Sequence, residues 1–177
     1  MGVTELSAVL WQERRLLELL LFKLEEEQRV LSSDGGRWLG NATRGIEQVL
    51  DQIRETELGR AMEAHAVARD LSIGPTSDLF TLSTAAPTPW DELLTGHCEA
   101  LVALTSQIDE AAEENRRMLR NAIHANTIPR SNDDTPAVTY ELRLREIGYR
   151  AALGGMARVL QPSLLAFVSS GVPTLIP

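Results

Sequence analysis

Leucines recur every seven residues at Leu10, Leu17, Leu24 and Leu31, flanked by Leu6, Val9, Leu16 and Leu20. The pattern predicts a long amphipathic helix from a capping Thr4 to the break at Ser32-Ser33-Asp34-Gly35-Gly36. At 1.5 Å per residue such a helix is roughly 42 Å long, and a helix of that length needs a partner along its side. Leu39, Ala42, Ile46, Val49, Ile53, Arg60, Ala64 and Leu71 keep near-heptad spacing after the Gly-Gly turn and predict that partner, running back antiparallel. It should end near Ser72, before Gly74-Pro75, and Ser77-Asp78 can start only a short turn through Leu79, Phe80 and Leu82. A third long helix is expected from Trp90 to about Ala125. Its stripe of Trp90, Leu94, His97, Leu101, Leu104, Ile108, Ala111, Asn115, Met118 and Ala122 steps by fours and threes.

Residues 128–137 carry two prolines and no apolar stripe, a linker pattern. Beyond it Leu142, Tyr149, Leu153, Met156, Leu160, Leu164 and Phe167 fall on one side of a fourth segment, with Arg143, Arg150 and Arg158 outside it. Gly148, Gly154 and Gly155 each weaken a helix by about 1 kcal/mol relative to Ala, and Pro162 interrupts it, so this segment should be helical only when docked. The predicted fold is all-α: an antiparallel, coiled-coil-like bundle of three long helices with a docked C-terminal amphipathic helix. The expected organisation is a helical domain at 1–129, a linker at 130–137, the amphipathic helix at 138–168 and a tail at 169–177.

Composition narrows the function. Seventeen basic and 25 acidic residues give a net charge of −8, which disfavours nucleic acid and anionic membrane surfaces as partners. The charge is unevenly placed: from Arg130 on there are five basic and four acidic residues, so residues 1–129 carry −9 and the remainder +1. A single cysteine, an N-terminus without a signal-peptide pattern and apolar runs far below the roughly 18 residues of a membrane span point to a cytoplasmic protein with no membrane insertion.

Candidate chemistry is sparse. His97 and Cys98 adjoin, but on a helix they point about 100° apart and do not share a metal easily. There is no Gly-rich phosphate loop, no Cys-x-x-Cys and no Gly-x-Ser-x-Gly elbow, so neither a cofactor, a metal nor an enzymatic activity is expected. Glu25-Glu26-Glu27, and Glu110 with Glu113-Glu114, read as solvated acidic faces rather than paired catalytic carboxylates. Asn115, polar on an apolar stripe, reads as a device that fixes helix register. Trp11, Trp38 and Trp90, near helix starts or turns, read as end-packing.

The run from Leu6 to Glu27, Arg54-Glu-Thr-Glu-Leu58 and Glu114-Asn-Arg-Arg-Met-Leu119 together resemble the flagellar export chaperone family FlgN over roughly residues 4–126. The segment Leu142 to Phe167, through Tyr149-x-Ala-Ala-Leu153 and Val159-Leu-Gln-Pro-Ser-Leu-Leu165, is similar to the C-terminal helix of the hook-filament junction protein FlgL, a client of that family. The tail from Ser169 departs from this likeness. The resemblance implies a cytosolic chaperone that binds the C-terminal region of hook-filament junction proteins, prevents premature polymerisation and presents them to the flagellar type III export apparatus. The whole chain reads as a chaperone–client fusion.

On that reading Leu142, Tyr149, Leu153, Met156, Leu160, Leu164 and Phe167 are the client-side contacts, each contributing about 1.5–3 kcal/mol gross if buried. A short tether supplies an effective concentration of order millimolar, which keeps even a micromolar helix docked. The expected groove lies on the third long helix, at Leu101, Leu104, Ile108, Met118, Leu119 and Ile123. The pattern leaves open whether the fourth helix docks on its own chain or swaps into a second copy, as a homodimer or swapped oligomer. The alternative is a single four-helix structural or adaptor bundle with no separable client.

Overall fold

A computed structural model describes residues 2–33, 38–75, 77–127, 147 and 162–169. The elements are α1 (Gly2–Ser32), α2 (Leu39–Asp70), α3 (Leu79–Ala85), α4 (Trp90–Thr127) and α5 (Pro162–Ser169). The fold is an all-α bundle. Of the fourth amphipathic segment only its end, α5, and Ile147 are described; Leu142, Tyr149, Leu153, Met156 and Leu160, the linker and the tail from residue 170 lie outside the described residues.

Two compact units divide the chain. One gathers the residues up to Leu19, Asp51–Gln107 and the chain from Leu160; the other holds Leu20–Leu50 and Ile108–Val159. In the first, Gly2 lies so close to Val67 that an added Cβ would stand 3.3 Å from a Val67 methyl, and Glu13 meets Arg60, so α1 and α2 run antiparallel. In the second, Gly45 lies against Lys23 and Thr43 against Glu27, again antiparallel. α1 starts at Gly2 rather than at a capping Thr4.

Heptad spacing sets the core of every long helix. On α1 the buried residues are Leu6, Leu10, Glu13, Leu17, Leu20, Leu24 and Glu27, stepping by four and three, with Ser7 beside them. On α2 they include Leu39, Thr43, Ile46, Leu50, Ile53, Arg60, Ala64 and Val67. The α4 stripe keeps its expected Leu94, His97, Leu101, Ile108 and Asn115, while Leu104, Ala111, Met118 and Ala122 are only half-buried. The buried alternates are instead Cys98, Thr105, Ala112 and Leu119, one position further round the helix. A helix in a bundle buries a face wider than the two-position seam of a paired coil, and its centre shifts accordingly.

The short α3 forms as its sequence suggests. Asp78 caps it, accepting a hydrogen bond from the Thr81 backbone N–H at 2.7 Å, and Leu79 and Leu82 are fully buried beneath it. α2 closes with paired bonds from Ile73 N–H to the Ala68 carbonyl at 2.9 Å and from Ser72 N–H to the Arg69 carbonyl at 3.1 Å. This double closure requires a left-handed residue, and Ser72, with φ 58°, supplies it where glycine is the usual choice. A side chain in that conformation carries strain that glycine lacks. Ser72→Gly should therefore raise stability by about 0.5–1 kcal/mol, read as a higher urea midpoint with unchanged slope.

Candidate partner-binding site

Charged groups sit where the heptad pattern calls for leucine. Glu13 and Glu27 occupy the α1 position that Leu6 and Leu20 fill one heptad away, and both are 0% exposed. A buried carboxylate needs a donor or a counter-charge. Glu27 has two donors, Thr43 Oγ1 at 2.9 Å and Asn115 Nδ2 at 3.1 Å, and Asn115 Nδ2 also donates to the Leu24 carbonyl at 2.9 Å. Burial raises the Glu27 pKa from its ordinary value while these hydrogen bonds pull against it. The acidic run Glu25-Glu26-Glu27 is thus not a solvated face throughout: Glu25 is exposed, Glu26 half-buried, and Glu27 turns inward because it holds the seam register. Asn115 thus ties α4 to α1 from a buried position, the kind of contact expected of a register-fixing residue. Glu113 is exposed and Glu114 half-buried, paired with Arg116 and Arg117 at 3.0 and 2.6 Å.

The second buried cluster lies beneath α5. Arg60, 3% exposed, meets Glu13 at 3.3 Å through Nε and Glu57 at 3.7 Å through Nη2, and its guanidinium lies over the Phe167 ring, 4.5 Å from the centroid. Burial pushes the Glu13 carboxyl up to about 7, the Arg60 charge opposes that rise, and Glu57 adds to it. α5 packs against α3, burying Leu164 and Val168, and a cleft lined by Ala61, Ala64, Pro75 and Asp78 runs beside Phe167.

A third cluster pairs His97 with Ser7, whose Oγ is 3.3 Å from Nε2, and with the Trp11 ring, edge-on at 5.1 Å. The Arg14 guanidinium lies over the Trp11 ring, 4.5 Å from its centroid. Burial and the Arg14 charge lower the His97 pKa to about 4, so the imidazole is neutral near pH 7. Buried with Ser7 and set against the Trp11 ring, with no carboxylate hydrogen-bonded to it among the described residues, His97 reads as core packing. Trp11 stays half exposed, Trp38 slightly more so, and Trp90 is half-buried, so end-packing covers only part of each ring. Among the described residues no group of three metal-ligating side chains occurs, and no helix is long and apolar enough to cross a membrane.

A model of the FlgN protein family matches residues 1–128. The chain belongs to the FlgN family. No curated protein and no solved structure matches it. FlgN proteins are flagellar export chaperones, not enzymes. The match ends at residue 128, so α5 stands outside the FlgN region while packing onto α2 and α3 within it.

Of the expected client-side residues, Leu164 is buried and Phe167 half-buried under Arg60. Of the six groove candidates, all on α4, Leu101 and Leu104 belong to one compact unit and Ile108, Met118, Leu119 and Ile123 to the other. Leu101, Ile108 and Leu119 are buried in the bundle core, whereas Leu104, Met118 and Ile123 are half-buried. Arg60 and Glu13 carried a sequence signal as site residues, a charge at a seam position on each of two antiparallel helices, but nothing along the chain placed Phe167 beside them.

A carboxyl that titrates near 7 when folded and near 4.5 when unfolded binds its proton more tightly in the folded chain. Its contribution is most favourable below pH 4.5 and is lost as pH rises to 7. The stability of the wild-type chain relative to Glu13→Gln should therefore fall by about 3 kcal/mol between pH 4.5 and 7.5, read from urea unfolding across that range. His97 acts in the opposite sense, favouring the fold above pH 6.5 and losing that contribution toward pH 4. His97→Gln carried alongside separates the two.

Proposed function

We propose that this chain is a flagellar type III export chaperone that holds the C-terminal amphipathic helix of hook-filament junction proteins, blocks their premature polymerisation and delivers them to the export apparatus. α5, the described end of segment 138–168, takes the client's place in cis. The observation that carries the reading is the docking of α5, a helix outside the FlgN region, on residues inside it: Leu164 and Val168 buried, and Phe167 capped by Arg60. Helix-in-groove recognition of this kind draws its affinity from apolar anchors three and four residues apart, the spacing of Leu164, Phe167 and Val168. The client segment carries four basic and two acidic residues and the chaperone region is strongly acidic, so charge steers the encounter and apolar burial holds the complex. No turnover is involved, and the cytoplasm is where such a chaperone acts.

Leu164→Asp with Val168→Asp should release α5 and leave its site open. Calorimetric titration of a peptide of residues 138–168 into that variant should then show saturable 1:1 binding, of order micromolar. The wild-type chain, its site filled, should show none. A folded variant that binds no peptide contradicts the client reading; a variant that unfolds makes α5 part of the core and favours the four-helix adaptor bundle.

A further inference from the structure

We propose that Arg60 is the specificity-determining residue of the α5 site: its guanidinium reads an aromatic side chain placed three residues after an apolar anchor on an amphipathic helix. The assignment of this role toward clients rests on the reading of the α5 site as the client site. An arginine on the inner seam of α2 is out of pattern, since the neighbouring seam positions are Ile53, Ala64 and Val67. Its cost there is partly offset by the ion pairs with Glu13 at 3.3 Å and Glu57 at 3.7 Å. Neither carboxylate satisfies it fully: among the described residues Nη1 has no hydrogen-bond partner, and the Glu13 contact is an ion pair without hydrogen-bond alignment.

What the guanidinium does have is the Phe167 ring, 4.5 Å from its carbon. A weakly hydrated planar cation that is shut away from water gains most from a π face. A leucine of similar bulk fills the same space and offers no such face. The site thus distinguishes aromatic from aliphatic at one position, while Leu164 and Val168 supply the affinity common to many apolar helices. The partner class is an amphipathic helix of the pattern apolar-x-x-aromatic-apolar.

The test is a double-mutant cycle in the full chain, reading local opening of α5 by amide hydrogen exchange in wild type, Phe167→Leu, Arg60→Lys and the double variant. Lysine keeps the charge beside Glu13 and loses the flat face. Phe167→Leu should raise α5 opening about tenfold in the Arg60 chain and less than about twofold in the Arg60→Lys chain, and Phe167→Tyr should match wild type. Should Arg60→Lys fail to fold, the neutral pair Glu13→Gln with Arg60→Gln replaces it in the cycle with the same expectation. Equal effects of Phe167→Leu in both backgrounds would make Phe167 an apolar filler and overturn the proposal. A second arm titrates the 138–168 peptide and its Phe167→Leu form into the Leu164→Asp, Val168→Asp chain, where the phenylalanine peptide should bind about tenfold tighter. If neither peptide binds there while the cycle shows coupling, the client reading fails and the role of Arg60 within the chain stands.

Discussion

Two carboxylates on the apolar seam of α1 constrain everything packed against it. Leu6, Glu13, Leu20 and Glu27 share one heptad position, so the helix alternates an apolar side chain with an acidic one on its most buried line. An unpaired carboxylate there is far more costly than any single leucine contact is favourable. The opposing helices must therefore place Arg60 at Glu13, and Thr43 with Asn115 at Glu27. A slip of α2 or α4 by one heptad would exchange each of these partners for an aliphatic side chain. Apolar burial supplies most of the folding free energy, and these pairs decide which of several similar leucine registers is used.

The same constraint produces the site. Arg60 is inside the bundle because Glu13 holds it there, and once inside it presents a guanidinium to whatever helix covers α3 and the end of α2. α5 answers with an aromatic ring. The group that settles register in the chaperone region is thus also the one that meets the docked helix, so changes at this point couple stability of the bundle to occupancy of the site.

Much of the fold was legible along the chain. The seven-residue leucine spacing, the Gly-Gly and Gly-Pro breaks and the capping Asp78 are local signals, and they located α1 to α4 within a few residues. Periodicity also marked Asn115 as a register residue. It did not reveal that Glu27 turns inward, because an acidic run reads the same whether one of its members is buried or none is; the decision rests with Thr43 and Asn115, 16 and 88 residues away. It centred the α4 face on Leu104 and Met118 rather than on Thr105 and Leu119, since two-position seams describe a pair of helices and not a bundle. The α5 contacts on Arg60 and α3 join residues about 100 apart in sequence, with no local signature. Family likeness, in turn, reaches residue 128 and says nothing of what lies beyond.

The central claim is that residues 1–129 form a chaperone bundle on which α5 is a guest. The most direct measurement is urea unfolding, followed by circular dichroism, of a chain ending at Pro129. A helical, monodisperse protein with a single cooperative transition, modestly less stable than the full chain, is the expected result. An unfolded or aggregating truncation would contradict it and make α5 an integral part of the core.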